Sequence, residues 1–358
     1  MGKCILGDVL KLLPVKSLLR FRCVSKEFCS LIDSPEFITL NLSQSILTNT
    51  DRNLTFFKRD FYTVMDLDSL EYQRDYDCYD NLKNCVIFGS CNGLIALCHP
   101  QQGMILWNPS TNKKQTLPHL PDLWGSRRKI CCSESLLVGF GYDRVSDDYK
   151  VIRIWKLSRR EGSRAMVFSV KRKSCRRIEG FPYNMSNPYD LGIFTTNRKC
   201  GVLVGSCLHW IVSEPDNSDT RLIVGFNLED ERPFTVPVPD IKTAYEPGWP
   251  VELGEVGGCL SVSMLADDGN LLVETWVMKE YGWTKIFSVY RATLKPIGYY
   301  KTGNKLLVLD IRSTDLLLYD EEETSPVVPE DRLMRYPMWY YDSFICTRSL
   351  VPVDFNAN

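Results

Sequence analysis

From residue 88 onward the chain repeats one short pattern five times. Phe88–Leu97 (FGSCNGLIAL) leads to Ile105–Pro109 (ILWNP) and a Lys-rich turn. Leu137–Trp155 (LVGFGYDRVSDDYKVIRIW) leads to Val167–Ile178 (VFSVKRKSCRRI). Gly205–Val212 (GSCLHWIV) leads to Ile223–Leu228 (IVGFNL), and Gly257–Met264 (GGCLSVSM) to Leu271–Phe287 (LLVETWVMKEYGWTKIF). Tyr299–Asp310 leads to Leu316–Asp320 (LLLYD). Each unit is a run of short apolar strands broken by Gly, Pro, Asn and Asp, residues that turn the chain. The opening strand follows Gly, and a third ends in an aromatic near Asn, Asp or Lys.

Successive units start about 45 to 70 residues apart, the spacing of kelch-like blades with insertions. A sheet this small cannot bury both of its faces. Radial stacking buries them and leaves only short, protected edges, so the pattern predicts a β-propeller. Leu54–Leu67 (LTFFKRDFYTVMDL) and Ser343–Val353 (SFICTRSLVPV) also have strand character. Together they would complete one blade from both ends of the chain and close the ring, for six blades in all.

The first forty residues read differently. Ile5, Leu6, Val9, Leu10 and Leu13 recur at helical spacing. Pro14 cannot continue that helix without losing a backbone hydrogen bond, so a break falls there. Val15–Cys23 predicts a second short helix, with Leu18, Leu19 and Arg22 on one side. Ser25 predicts the N-cap of a third, carrying Phe28, Leu31 and Ile32 inward. Ser34-Pro35 predicts a cap and first-turn proline before a last turn through Phe37 and Leu40. Such a segment is too small to bury a core alone and is expected to set its apolar faces against a partner. A helical cap docked on the strand domain is the other reading of the same periodicity.

The run LPVKSLLRFRCVSK, Leu13–Lys26, resembles an F-box, the adaptor-binding motif of cullin–RING ubiquitin ligases, particularly in its plant form. The resemblance places Leu13, Pro14, Val15, Leu18, Leu19, Cys23 and Val24 at or beneath the surface that meets a Skp-type adaptor. Phe28 belongs to the same set and stands where many members carry Trp; it lacks the indole N–H. Family members usually open with a Leu/Ile-Pro-x-Asp-Ile segment, whereas this chain begins Met1-Gly2-Lys3-Cys4. The expectation is therefore a shortened F-box. GYDRVSDDYKVIR, FSVKRKSCRRI, SCLHWIV and ETWVMKEYGWTKIF resemble the F-box-associated domain of plant F-box proteins, closest to the defence-regulator type. The implied fold is a small all-α F-box at residues 1–42, followed by an all-β, six-bladed propeller domain at residues 43–358.

Composition fits that reading and excludes others. Of the 358 residues 44% are hydrophobic and 24% charged, ordinary for a globular protein. A net charge of −1 argues against a dedicated nucleic-acid binder, which needs a basic footprint. No apolar run approaches a membrane span, and no secretory signal is visible. The 14 cysteines are irregularly spaced, without a C-x-x-C pair, and only three histidines exist, so neither a metal nor a cofactor is expected. The thiols are expected to be reduced and to serve as small buried hydrophobes.

No motif for chemistry emerges: there is no G-x-S-x-G elbow, P-loop lysine or H-E-x-x-H. Asp147-Asp148 and Asp267-Asp268 read as turns. The basic run Lys171–Arg177 reads as a solvated hairpin turn, with a localisation or acidic-partner patch as the alternative. Trp107, Trp155, Trp210, Trp276 and Trp283 fall at blade positions and read as packing. Trp124, Trp249 and Trp339 lie in Pro/Gly-rich segments outside the repeats and are the candidate target contacts. The loops Pro118–Ser135, Phe181–Pro188, Pro239–Pro250 and Glu321–Tyr341 are the candidate recognition surface. The resemblance implies a substrate-recognition subunit of an SCF-type ligase, cytoplasmic or nuclear, non-catalytic itself and joined through the adaptor to cullin and RING subunits. A target-binding propeller with a defective F-box, acting as a decoy, is the rival reading. A propeller enzyme with a central-channel site is a third.

Overall fold

The computed structural model describes residues 2–57, 61–69, 71–77, 85–99, 101–118, 136–156, 163–178, 181, 183–185, 200–213, 221–239, 251–266, 272–280, 282–290, 293–300, 305–310, 315–320 and 342–355. They form two compact units: Met1–Pro118 with Ser343–Asn358, and His119–Asp342.

The first unit opens with four helices, α1 (Gly2–Leu10), α2 (Val15–Phe21), α3 (Lys26–Ile32) and α4 (Pro35–Thr48). Pro14 stands immediately before α2 with extended geometry, φ −58° and ψ 145°. Ser25 caps α3 by accepting from Phe28 N–H at 3.2 Å, and Ser34 caps α4 by accepting from Phe37 N–H at 3.3 Å. These are the two caps and the break expected from sequence. The length of α4 is not. In place of a last turn near Leu40 and a strand domain from residue 43, the helix continues to Thr48 and stops at Asn49 in the left-handed conformation, φ 53°. No described helix is long and apolar enough to cross a membrane.

Two sheets complete this unit. One runs β4 (Val86–Cys91), β5 (Leu94–His99), β6 (Gly103–Asn108), β7 (Lys113–Thr116) in order. The other combines β1 (Arg52–Phe57), β2 (Phe61–Asp66) and β3 (Glu71–Asp77) with the last strand of the chain, β24 (Asp342–Thr347), in the order β24-β1-β2-β3. The first and last strands are thus neighbours in one sheet, as Leu54–Leu67 and Ser343–Val353 implied. Val64, Ile87, Ile95, Leu97, Ile105, Trp107 and Cys346 form the core shared by the two sheets. Burial pushes the Cys346 thiol up to about 11.

The second unit holds four sheets. They comprise β8 (Leu136–Asp143) to β11, β12 (Asn184–Met185) to β16, β17 (Val251–Val256) to β20, and a three-stranded sheet β21 (Leu294–Tyr299), β22 (Lys305–Asp310), β23 (Leu316–Asp320). In the first of these β9 is Asp148–Lys156, β10 Ser163–Ser169 and β11 Ser174–Ile178. In the second, β13 (Val202–Val204), β14 (Cys207–Ser213), β15 (Arg221–Asn227) and β16 (Arg232–Val236) follow β12. β12 and β13 pair with opposite halves of β14, so one edge strand is split in two. In the third, β18 is Cys259–Ala266, β19 Leu272–Lys279 and β20 Gly282–Val289. The described residues therefore carry six antiparallel sheets, the number that the repeats predicted.

The phase of the repeat differs from the sequence reading in one respect. Asn92-Gly93 joins β4 to β5, Gly205 lies between β13 and β14, and Gly257-Gly258 joins β17 to β18. In these sheets Gly marks the hairpin between the first and second strands, so each Gly-led phrase begins one strand late. The overlooked first strands, such as VELGEV, carry Gly and Glu in place of a continuous apolar run.

Successive sheets of the second unit share apolar cores. Leu137, Ile152, Ile154, Ala165 and Val167 pack with Leu208, Trp210, Val212, Val224 and Phe226. Gly139 and Gly141 in β8 make that approach possible. A Cβ on Gly139 would fall 2.7 Å from Leu208, and one on Gly141 2.6 Å from Leu228. The Val138 carbonyl accepts from both Trp210 Nε1 at 3.0 Å and Gly201 N–H at 2.7 Å. Ile223, Val251, Leu260 and Val262 form the next core, flanked by Trp276 and Trp283. Phe287 against Tyr319, ring centroids 5.0 Å apart and edge-on, belongs to the third.

The phrase GYDRVSDDYKV acquires a physical account here. Asp143 ends β8 and its Oδ1 accepts from Val145 and Ser146 N–H, shaping the turn that Asp147 completes at φ 51°. Its Oδ2 lies 2.7 Å from Lys150 Nζ, which also meets Glu231 at 2.8 Å and donates to the Leu228 carbonyl at 2.6 Å. Lys150 thus ties β9 to the β15–β16 turn. The basic run is the β10–β11 hairpin, where Arg176 pairs with Glu231 and Lys171 N–H donates to Asp148. Of the ten cysteines whose side chains are described none is in a disulfide; Cys98 and Cys346 are buried, Cys23 is exposed and the rest are half-buried. Most are therefore less buried than the sequence reading supposed.

Two predictions follow from this packing. Gly93 has φ +77°, and a Cβ there would lie 2.3 Å from Ser349 Oγ and 2.6 Å from the Thr347 carbonyl. Gly103 has φ +82° with nothing within 4 Å. Gly103→Ala should cost about 1–2 kcal/mol from backbone strain alone, and Gly93→Ala at least ~3, because the clash adds to it. Urea denaturation of the two variants measures the difference. Burial alone would raise the carboxyls of Asp143 and Glu231, but Lys150 together with Ser146 at Asp143, and with Arg176 at Glu231, outweighs it and holds both below their ordinary values of 3.8 and 4.5. A depressed carboxyl stabilises the fold fully above its ordinary value, and that stability is lost as pH falls below it. Lys150→Met should cost about 3–5 kcal/mol at neutral pH, because the buried Asp143 carboxylate loses its counter-charge and Glu231 keeps only the exposed Arg176. The deficit should shrink at acidic pH, where both carboxyls protonate; urea melts at neutral and acidic pH test the sign.

Candidate docking surface

The helices have their own small core. Leu10, Val15, Leu18, Ile32 and Phe37 are buried together, with Leu6, Leu13, Leu19, Phe28, Leu31 and Ile38 half-buried around them. Leu350, from the C-terminal segment, is a sixth buried member. Full burial of a Val or Leu side chain stabilises by about 1.5–3 kcal/mol, so a sixth member is a sizeable fraction of so small a core.

The eight residues marked by the F-box resemblance fall into three layers. Val15 and Leu18 are fully buried, with no accessible surface. Leu13, Leu19 and Phe28 are half-buried, and Phe28 stacks on Phe21 with centroids 6.0 Å apart. Pro14, Cys23 and Val24 are exposed, Val24 to 63%. Sequence periodicity does not sort these layers, because core and contact residues alternate on helices only seven residues long.

Further apolar residues on the helices are exposed, and of these Leu12, Phe21, Ile46 and Leu47 were not singled out by the sequence reading. Val9, Leu12, Phe21, Val24, Leu40, Ile46 and Leu47 are all exposed, Leu12 to 64% and Leu47 to 83%. They are seven of the ten exposed large hydrophobics among the described residues, all within the first 48 positions. Among the described residues apolar exposure is therefore concentrated on the helices, the distribution that marks a protein-contact surface.

Helix α4 shows why periodicity missed its second half. Its inward residues include Asn41 and Ser45, both buried, while Leu40, Ile46 and Leu47 face out. Asn41 Nδ2 donates to the Lys11 carbonyl at 3.0 Å and the Leu13 carbonyl at 3.4 Å, satisfying the chain just before Pro14. A polar residue inside and leucines outside is the reverse of an ordinary amphipathic helix.

A buried ionic joint connects the helices to the sheets of the same unit. The Val15 N–H donates to Asp51 Oδ2 at 2.7 Å. Arg348 Nη1 donates to Asp51 Oδ1 at 3.0 Å, and its Nη2 to Asp66 Oδ2 at 2.7 Å. Asp51 N–H in turn donates to Asp68 at 2.5 Å. Burial, with the neighbouring Asp68 charge, raises the Asp51 carboxyl despite its hydrogen bonds. Burial also works against Asp66, but Arg348 and the Ser69 and Asp68 N–H groups outweigh it and lower that carboxyl. One guanidinium thus serves two carboxylates of unequal acidity.

The aromatic positions resolve as follows. Trp107 and Trp210 are buried between sheets; Trp276 and Trp283 flank a core, Trp283 Nε1 donating to the Pro237 carbonyl at 2.8 Å. Trp155 is half-buried, with the Arg153 guanidinium 5.2 Å from its ring centre. Trp124, Trp249 and Trp339 lie outside the described residues, as do most of the candidate recognition loops; in Phe181–Pro188, however, Phe181 is buried in a core and Asn184–Met185 pairs with β14, so that stretch is framework rather than recognition surface.

Comparison with known proteins agrees with this architecture. A family model described as "F-box associated beta propeller domain" matches residues 18–321. The chain is similar to the F-box protein CPR1 of Arabidopsis thaliana, 31% identical over 348 residues, covering 89% of this chain and 81% of that one. It is also similar to the Arabidopsis thaliana F-box protein At4g22390, 28% identical with 91% and 85% covered. The F-box/kelch-repeat protein At3g23880 of the same organism is 24% identical, with 88% and 86% covered.

Asn41→Ala should destabilise the helical segment by about 1–3 kcal/mol, because two carbonyls lose their donor in a dry site. Asn41→Asp should do at least as much, replacing a donor with a buried acceptor. Thermal melts followed by helix ellipticity check both; unchanged melts would refute the role given to Asn41.

Proposed function

Because the chain belongs to the F-box-associated β-propeller family, we propose that it is the target-recognition subunit of an SCF-type cullin–RING ubiquitin ligase. One observation carries the reading: exposed apolar side chains gather on N-terminal helices fused to a six-sheet platform of that family. The helices dock on a Skp-type adaptor, which connects them to cullin and RING subunits. Leu12, Pro14, Cys23 and Val24 supply contact surface, and Val15 and Leu18 hold it in shape from beneath. The propeller holds a target protein through its connecting loops, with Trp124, Trp249 and Trp339 as candidate contacts.

The chain then acts by position and not by chemistry. Holding a target lysine near the charged conjugating enzyme turns an encounter between free proteins into one at high effective concentration. No acid, base or nucleophile of this chain is required for that effect.

Burial decides which variants test the reading. Leu18→Ala would open a cavity in the helical core, so lost binding would report unfolding. Deleting residues 1–42 would cut inside α4 and expose Leu350. Leu12→Asp with Val24→Asp alters surface only. The double variant should keep the wild-type melting temperature and lose adaptor affinity by about 30-fold or more, the effect of disrupting a contact hot spot. Calorimetric titration of the purified full chain with recombinant adaptor measures it. Undiminished affinity in the double variant, or no binding by the folded wild type, would overturn the proposal.

A further inference from the structure

The segment Arg348–Val351 is the joint where the N-terminal helices and both sheets of the first unit meet. Its residues divide the work by alternation. Arg348 reaches Asp51 and Asp66, and its own N–H donates to the Asp51 carbonyl at 2.8 Å. Ser349 and Val351 offer carbonyls to Asn108 Nδ2 at 3.1 and 2.8 Å. Leu350 enters the helical core.

The chemistry at the start of α2 gives this joint a specific task. A helix leaves its first backbone N–H groups without partners, and an N-cap side chain normally supplies one. Pro14 occupies the cap position of α2 and has no side-chain hydrogen bond to give. The Val15 N–H is instead received by Asp51, 36 positions along the chain, and Asp51 is held by Arg348, 297 positions further. The cap of α2 therefore belongs to the sheet, and the direction of the helix is set by atoms from the far end of the sequence.

A buried ion network seldom adds much net stability over a well-packed apolar alternative, because removing charges from water is costly. What directional, bidentate bonds add is a fixed geometry. We propose that Asp51 and Arg348 are positioning residues that fix the orientation of α2 on the closing sheet, making the C-terminal segment a working part of the adaptor-docking unit. The proposal rests on the ligase reading for what docks, and on geometry alone for the joint itself.

Asp51→Ala is the cleanest test. It removes the remote cap and leaves Arg348 and Asp66 as a one-to-one pair, so no buried charge is stranded. Hydrogen exchange on the full chain should show the α2 amides exchanging about tenfold or more faster, with β5 and β6 unchanged. Asp51→Asn retains an acceptor oxygen and should recover most of the protection. In titration with the adaptor, Asp51→Ala should weaken affinity about 3- to 10-fold, as a smaller fraction of the chain presents α2 correctly, and Asp51→Asn should restore it. Unchanged exchange in α2, or exchange rising equally in β5 and β6, would overturn the positioning role. Failure of the wild type to bind adaptor, with the local exchange response intact, would sink the ligase reading and leave the joint standing.

Discussion

Much of the first unit turns on one buried guanidinium. Arg348 closes the sheet that contains both ends of the strand domain, and through Asp51 it receives the start of α2. Remove it and two carboxylates in a dry site face each other with Asp68 nearby. The stabilisation comes from its partners as much as from its charge: the backbone bond to Asp51, the packing of Leu350 and the anchoring of Ser349 by Asn108 act on the same four residues. A side chain with five donors in a rigid planar fork suits such a junction, because it holds both carboxylates in a fixed mutual geometry.

The same design recurs in the second unit with different chemistry. There Lys150 bridges Asp143 on its own hairpin and Glu231 on the next sheet. Both sites place a buried cation at the end of a strand, against an Asx turn whose oxygen also accepts backbone N–H groups. Asp66 and Asp143 end β2 and β8, and their Oδ1 atoms accept from the N–H groups two and three residues on. Asn108 does this at the end of β6 while its amide nitrogen holds the C-terminal segment. Apolar faces alone would let stacked sheets slide; polar ties at the hairpins fix their alignment.

Much of this was legible before any coordinates. Proline and serine are read by local rules, so the break at Pro14 and the caps at Ser25 and Ser34 were placed correctly. Six sheets followed from counting a repeat, because each unit needs neighbours to bury its faces. What failed depended on tertiary context. Asn41 inside α4 has meaning only once the Lys11 and Leu13 carbonyls are seen beside it. The split edge strand β12/β13 has too few residues for any period to register. The sorting of Val15 and Leu18 from Val24 required knowing that Leu350 joins the helices, a contact no local pattern encodes.

The inverted amphipathicity of α4 bears on what a docking surface requires here. A helix that hid its leucines would add to its own core and leave little for a partner. With Asn41 and Ser45 turned inward, α4 is held by hydrogen bonds and sequence-specific contacts, so Leu40, Ile46 and Leu47 remain outside. The cost is borne within the fold, because a buried amide must find its carbonyls or destabilise the segment by more than an apolar residue would have contributed. The gain is a surface whose apolar area does not depend on the helices loosening. Exposure at Val9, Leu12 and Val24 has a related origin: Leu350 from the C-terminal segment completes the helical core, so these residues are not needed in it. A short helical segment can be both folded and open to a partner only if something else finishes its core, and in this chain the C-terminal strand region does so.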